Sequence, residues 1–375
     1  MKKIKITIIG SSIAGSSLAY LLARSNVNVR VYEQEKEKDV GKKLCANIIT
    51  KTFIKFARKL GINPNKVIEN KFKKAVLKFQ NKEVIIPIKE YKLNREKFVN
   101  LLIKKAKQEG AKFFFKTKFI SLKKKNKGYE ITLKKSRKIT EKTDIIVGAD
   151  GATSEVAKKA NLWQNRKLGL AIQIKSKKHK LKIKKQEYYI FLDKKYGYYS
   201  YIVPSKKYTV IGGGDYVENN PNKNFKNFLS FLKIKRGKKQ AALVPAPKPI
   251  KTRKDNIFLI GDAACHARFS AGGIIPAIKA SFALRDIITK NNYTSMKKLE
   301  KQVFLNSILS NVIKNFNDKD FSRLLEITSK NKKIKNLVTL RDEFSTKKFV
   351  DILLKNPKLI FSFIPMLNLK SLKYY

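Results

Sequence analysis

The chain has 375 residues, 43% hydrophobic and 30% charged, with 85 Lys and Arg against 28 Asp and Glu for a formal net charge of +57. That composition excludes a disordered, collagenous or low-complexity chain, and the length gives room for roughly two domains. The charge is mostly lysine spread over nearly every segment, so it reads either as attraction to an anionic partner or as a compositional bias of the genome.

Residues 4–9 (IKITII) form an apolar strand, and a Gly/Ser turn at 10–12 leads into a helix of small and apolar residues over 13–25. A second strand at 27–32 (VNVRVY) completes the start of a βαβ unit. Lysines before a short apolar run resemble a signal peptide, but the turn and helix that follow at once favour the strand. No stretch of 18 uncharged apolar residues is present, so no transmembrane helix is expected. A helix over 94–109 can be capped by Asn94. Strands follow over 113–133, with a turn at Asn126-Lys127-Gly128, and a short buried strand occupies 144–148. From 166 to 250 the pattern alternates through LAIQIK, EYYIFLD, YYSYIVP and YTVIGGG, which predicts a mostly antiparallel sheet. A buried strand at 257–260, a glycine pair, a helix at about 272–289 and further helices from 295 complete the reading.

Three strand-to-turn motifs carry the chemistry. In Gly10-Ser11-Ser12-Ile13-Ala14-Gly15, Gly10 permits a tight turn and Gly15 permits close packing of the helix on the strand. The helix start at Ser12 and Ala14 offers N–H groups and a positive dipole end to a pyrophosphate. Ser12 replaces the middle glycine of the usual fingerprint. Glu33 ends the second strand at a spacing that suits ribose hydroxyls. The second motif ends in Gly148-Ala149-Asp150-Gly151, and the third in Gly261-Asp262-Ala263-Ala264. Asp262 can accept from sugar-like hydroxyls, and Gly261 allows close backbone approach; Asp150 and Gly151 of the second motif are further cofactor-binding candidates. Each alone reads equally well as a plain strand-to-loop turn.

Together and in this order, the three motifs resemble those of the para-hydroxybenzoate-hydroxylase-like flavoproteins, which implies FAD as the cofactor. Further details resemble the geranylgeranyl reductases, over residues 1–290. Cys45, in KKLCANIIT, matches a cysteine near the flavin ring. Arg95, in LNREKF, matches an arginine that approaches the FAD pyrophosphate. Tyr199-Ser200-Tyr201-Ile202-Val203-Pro204 resembles the family's Y-x-W-x-F-P strand. GDAACHARFSAGGIIPAIKAS resembles its last flavin segment, placing Gly272, Gly273 and Ile274 beside the isoalloxazine. Two departures stand in that segment: Arg268-Phe269-Ser270 where the family has a proline, and Ala271 as the first of its three glycines.

The implied fold is α/β, with a discontinuous Rossmann-like FAD-binding domain over 1–165 and 251–290. An antiparallel-sheet substrate domain over 166–250 interrupts it, with 51–94 a candidate contribution to the substrate side. A helical region spans 291–375. The implied activity is saturation of isoprenoid double bonds of a prenylated lipid by flavin hydride transfer. Its rivals are a monooxygenase using NAD(P)H and oxygen, and a flavin-containing RNA-binding protein, although no RNA-binding motif is found and no specific nucleic acid is expected. Tyr199 and Tyr201 read as substrate-lining or as ordinary strand-packing aromatics. Backbone N–H groups at Gly273 and Ile274 would stabilise the anionic reduced ring. Cys45 reads as proton donor, redox partner or small buried residue. No second nucleotide fingerprint occurs, which leaves ferredoxin or NAD(P)H as the external electron donor. Cys45 and Cys265 form neither a zinc pattern nor a disulfide framework, which suits a reducing cytoplasm. The lysine-flanked segment LIFSFIPML is expected either to pack on the body or to touch an anionic membrane surface.

Overall fold

The computed structural model describes residues 4–177, 181–235, 237–331 and 335. The LIFSFIPML segment lies outside the described residues. Two large sheets and one small one organise the chain.

The first sheet begins with strand β1 (Lys5–Ile9), which runs through a turn into helix α1 (Ile13–Ala23) and returns as strand β2 (Asn28–Tyr32). Its order is Arg253–Lys254, Ile257–Leu259, Ile145–Gly148, β1, β2, Lys112–Phe114, and every neighbouring pair is parallel except the first. Both faces are covered, which is why these strands read as continuous apolar runs. On one side Ile6, Ile8, Val29 and Val31 pack with α1 and with residues of the helices Arg95–Gln108 and Ile274–Lys290. On the other, Ile146, Ile257 and Leu259 meet Ile131 and Leu133 of the small sheet Lys118–Lys124, Tyr129–Lys134, Lys138–Thr143. All of α1 is buried, so its small residues are required for space rather than for propensity.

The second sheet has eight strands, ordered Lys238–Pro245, Leu168–Ser176, Thr209–Tyr216, Tyr199–Pro204, Glu187–Phe191, Ile68–Phe79, Lys82–Leu93, Ile48–Ile49. Its pairs are antiparallel except Glu187–Phe191 with Ile68–Phe79. The alternating segments after 166 therefore share a sheet with strands drawn from 48–93. One face carries Phe72, Leu77, Ile86, Tyr188, Tyr201 and Val203, packed against Phe316, Phe321 and Leu325 near the two last described helices, Thr294–Lys314 and Asp318–Lys330. The other face carries Ile172, Ile174, Ile202 and Ile211 under the helix Pro221–Phe231. The chain thus enters each sheet more than once and stitches the two together. Among the described residues no helix is long and apolar enough to cross a membrane.

Candidate functional site

In the first sheet the connections reverse direction between β1 and Ile145–Gly148, and a crevice at such a switch point is where open α/β sheets bind ligands. All three motifs meet there. The N–H of Gly10 donates to the Tyr32 carbonyl at 2.8 Å, and that of Ala149 donates to the Ile9 carbonyl at 2.8 Å. Gly10 has φ +98°, and a Cβ there would stand 2.4 Å from the Ala149 carbonyl oxygen. A Cβ on Gly15 would lie 1.9 Å from the Gly10 carbonyl oxygen, so α1 can start against the turn only with glycine in place. A Cβ on Gly261 would meet the Ala14 methyl at 3.0 Å, and one on Gly273 would meet Oδ1 of Asp262 at 3.0 Å. Ser281 Oγ donates to the Ala14 carbonyl at 2.9 Å and ties the helix Ile274–Lys290 to α1.

Glu33 closes this crevice at the β2 end. Its Oε2 accepts from the N–H (2.8 Å) and Oγ (3.0 Å) of Ser11, and its Oε1 accepts from the Glu35 N–H (3.0 Å). A carboxylate offers about four acceptor positions, so one is left for a ribose hydroxyl. Arg95 opens its helix, where Asn94 Oδ1 accepts from the Lys97 N–H at 2.9 Å as a cap. Its Nη2 donates to Ser12 Oγ at 2.8 Å, while its buried Nε has no hydrogen-bond partner among the described residues. Ser12 itself makes no side-chain capping bond to α1. A half-satisfied guanidinium beside open helix N–H groups fits a pyrophosphate, as FAD requires.

Asp150 is turned to a local task. Its Oδ1 accepts from Ser154 Oγ (2.6 Å) and its Oδ2 from the Val156 N–H (3.1 Å), holding the short helix Glu155–Lys159. Burial pushes its pKa up against those bonds. Gly151 has φ +89° and open space around the position of a Cβ, so this turn presents backbone, not a carboxylate.

Asp262 faces a residue that sequence reasoning passed over. Lys43 Nζ sits 2.8 Å from its Oδ2, and one lysine among so many carries no sequence signal. Burial pushes the Asp262 carboxyl up, but the Lys43 ammonium, with Arg95 and His266, outweighs it and holds the pKa below the usual range. His266 is wholly buried, neither ring nitrogen has a partner among the described residues, and burial lowers its pKa to about 4.

Gly273 is the N-cap of the helix Ile274–Lys290, so Ile274 stands in its first turn. The departures in this segment have visible consequences. Ala271 takes φ +56°, a region where a side chain costs on the order of 1–2 kcal/mol. The Arg268 guanidinium lies across Gly272, where a Cβ would fall 2.0 Å from Nη2. Arg268, Phe269 and Ala271 line a cleft shared with Tyr198, Tyr199 and Gly214 of the eight-stranded sheet. Tyr198 donates to the Phe269 carbonyl across it at 3.2 Å.

Tyr199 and Tyr201 stack with ring centroids 6.0 Å apart at 17°. Gly212, opposite Tyr201 in the ladder, makes room for that ring: a Cβ there would lie 2.4 Å from Cζ. Tyr201 OH donates to Gln173 Oε1 at 3.3 Å. Burial pushes both phenols up, and both lie within electrostatic reach of the Cys45 thiol. Cys45 is half-buried and its Sγ accepts from the Asn47 N–H at 3.3 Å. Cys265 is buried, with its pKa pushed up to about 11 by that burial, and both thiols are free. The structure thus brings Cys45, Tyr199 and Tyr201 together and leaves Cys45 and Cys265 unbridged.

Comparison with known proteins agrees with the crevice. A family model described as FAD binding domain matches residues 3–284. An uncharacterised protein of Methanocaldococcus jannaschii is 30% identical over 306 residues, 77% of this chain and 76% of its own length. A digeranylgeranylglycerophospholipid reductase of Methanosphaera stadtmanae is 23% identical over 350 residues, 84% of this chain and 86% of its own. Among solved structures, a geranylgeranyl bacteriochlorophyll reductase-like protein of Thermoplasma acidophilum aligns with TM-score 0.78 at 18% identity, covering 98% of this chain and 100% of that one. A p-nitrophenol 4-monooxygenase of Pseudomonas putida aligns with TM-score 0.71 at 14% identity, covering 92% and 98%. At these identities the two structures share the fold with this chain and nothing finer.

Proposed function

The chain belongs to the FAD binding domain family and is an FAD-dependent oxidoreductase; on that premise we propose that it reduces isoprenoid double bonds of a prenylated lipid. The observation that carries the reading is the buried, largely apolar sheet face bearing Tyr199 and Tyr201 beside Cys45, which meets the flavin-side loop at the Arg268–Ala271 cleft. An isolated double bond has no carbonyl to polarise it, so positioning and exclusion of water must supply much of the rate. Bound FAD, once reduced, supplies the hydride. Arg95, Ser12 and the α1 N-terminus hold its pyrophosphate, and Glu33 takes a ribose hydroxyl. Asp262 and Lys43 flank its sugar-like chain. The first turn at Gly273 and Ile274 offers N–H groups to negative charge on the ring. Tyr199 and Tyr201 stay protonated at neutral pH and flank the alkene, and Cys45 stands beside them as the proton donor. Ferredoxin or NAD(P)H serves as the external electron donor. A prenylated glycerophospholipid as substrate is supported by the relatives named as digeranylgeranylglycerophospholipid reductases, and an anionic membrane surface is the proposed source of it.

A monooxygenase is the second reading, because the fold is shared with p-nitrophenol 4-monooxygenase. The test is a single anaerobic turnover of chemically reduced enzyme with a geranylgeranylated glycerophospholipid, read by mass spectrometry. Gain of two hydrogens per reacted bond is the expected result. Unchanged lipid, together with hydroxylation of an added phenol once oxygen enters, would replace this reading with the second.

A further inference from the structure

The loop that departs from the family pattern carries a buried cation. Arg268 is 7% exposed, although it stands in the loop between the short turn Gly261–Ala264 and the helix Ile274–Lys290. The loop is closed on itself: the Arg268 N–H donates to the Gly272 carbonyl at 3.1 Å, and the Ala271 N–H donates to the Arg268 carbonyl at 2.9 Å. With Ala271 left-handed, the Gly272 carbonyl also accepts from Arg268 Nε at 3.3 Å. The guanidinium therefore lies against the Gly272 backbone, and its Nη2 fills the place a Cβ would take there. Two outside bonds pin the loop. Tyr198 OH donates to the Phe269 carbonyl at 3.2 Å from the eight-stranded sheet, and the Phe269 N–H donates to Asn306 Oδ1 at 3.0 Å on the helix Thr294–Lys314. The charge is thus held in place on the wall of the cleft, one residue before the N-cap Gly273.

We propose that Arg268 tunes the flavin: its charge favours the reduced ring over the oxidised one and so raises the reduction potential. Two electrons and one proton turn the neutral oxidised ring into an anion, so only the reduced form gains from a cation beside it. The inference rests on the placement of Gly272, Gly273 and Ile274 against the ring, and not on which substrate the ring then reduces. The helix start at Gly273 offers charge of the same sign, but a helix end is worth about half an elementary charge and Arg268 a whole one. Burial strengthens the effect, because a charge withdrawn from water is less screened. A guanidinium also stays charged at every working pH. A proline in this stretch, as the resemblance leads one to expect, would carry no charge at all. Arg268 thus acts through the electronics of the cofactor, which is the usual lever a protein has on a flavin.

The test is the midpoint potential of the FAD-loaded protein, measured by anaerobic reduction against a dye of known potential with no lipid present. A whole charge close to the ring shifts the ratio of reduced to oxidised affinity by about tenfold or more. For a two-electron couple a tenfold change is about 30 mV, so Arg268→Met should lower the potential by at least that much. Arg268→Lys should keep most of the parent value. Gly272→Ala leaves the arginine in the chain but sets a methyl group where its Nη2 lies, and the flexible end of that side chain must move away. It should lower the potential too, and combining it with Arg268→Met should add little to the effect of Arg268→Met alone. An arginine with a structural role only would weaken oxidised and reduced FAD alike and leave the potential where it was. Equal potentials in the parent and Arg268→Met proteins, with FAD bound to both, would overturn the proposal. A drop in Arg268→Lys as large as that in Arg268→Met would do the same. Should Arg268→Met fail to hold FAD, Gly272→Ala decides, and an unchanged potential there overturns the tuning role. Lipid turnover is read separately: an enzyme whose potential shifts as expected but which leaves prenylated lipid untouched retires the reductase reading and keeps this one.

Discussion

The parallel sheet and the eight-stranded sheet bury their strands on different terms. In the parallel sheet the buried residues are almost all apolar, and the polar work is done beyond the strand ends by backbone turns, Glu33 and a few residues brought to α1. In the eight-stranded sheet the buried face itself carries Glu90, Lys92, Gln173 and Tyr201 among hydrophobic neighbours. The first arrangement suits a cofactor recognised through phosphate and sugar, where main-chain N–H groups suffice. The second suits chemistry on an apolar substrate, where a few side chains must act inside a dry face.

Substitutions that confuse these two economies should have graded effects. The largest is Gly15→Ala: a methyl group 1.9 Å from the Gly10 carbonyl forces α1 off the sheet. Overpacking of this kind costs up to about 3 kcal/mol. Thermal unfolding should show that loss, and the purified protein should no longer retain FAD. His266 sets a comparable effect on the pH axis. Its ordinary pKa of 6.5 falls to about 4 on burial, so only the neutral form is accommodated. Its stabilising contribution is complete above pH 6.5 and is lost as pH falls through about 4, at a cost of about 3 kcal/mol. Denaturant titrations across that range should show the slope, and His266→Leu should flatten it.

Arg95→Met ranks next. Removal of a charge-assisted contact costs about 1.5–3 kcal/mol, so FAD should bind roughly ten- to hundredfold more weakly. Riboflavin, which lacks the pyrophosphate, should bind both proteins alike, and fluorescence titration distinguishes the two ligands. Tyr201→Phe is the smallest change. It removes the bond to Gln173, whose Nε2 still donates to Gln240 Oε1 at 3.0 Å, and should cost about 1 kcal/mol.

The same contrast explains what was legible in the sequence. Runs such as KITII, IIVG and IFL are apolar because both of their faces are covered, and each ends in a glycine turn, so the nucleotide crevice could be read residue by residue. The strands Ile68–Phe79 and Lys82–Leu93 hid themselves. Their exposed faces are lysine-rich, Pro87 interrupts one of them, and register shifts fall between Ile68 and Asn70 and between Phe72 and Lys74. The period-two signal is therefore broken, and a segment visible only as a candidate contributor supplies the sixth and seventh strands of the eight. Cys45, Tyr199 and Tyr201 were legible through family resemblance. Lys43 and Lys92 were not, because a lysine in a lysine-rich chain stands out only when its burial and its partner are seen. Asp150 shows the converse: its motif is plain in sequence, but its carboxylate serves Ser154 and Val156.

The most direct test of the account is anaerobic stopped-flow absorbance of the reconstituted, dithionite-titrated enzyme mixed with prenylated lipid. Reappearance of the oxidised flavin spectrum at a rate that rises with lipid concentration and saturates is the predicted result. A flavin that stays reduced with lipid, and reoxidises only when oxygen is admitted, would contradict it.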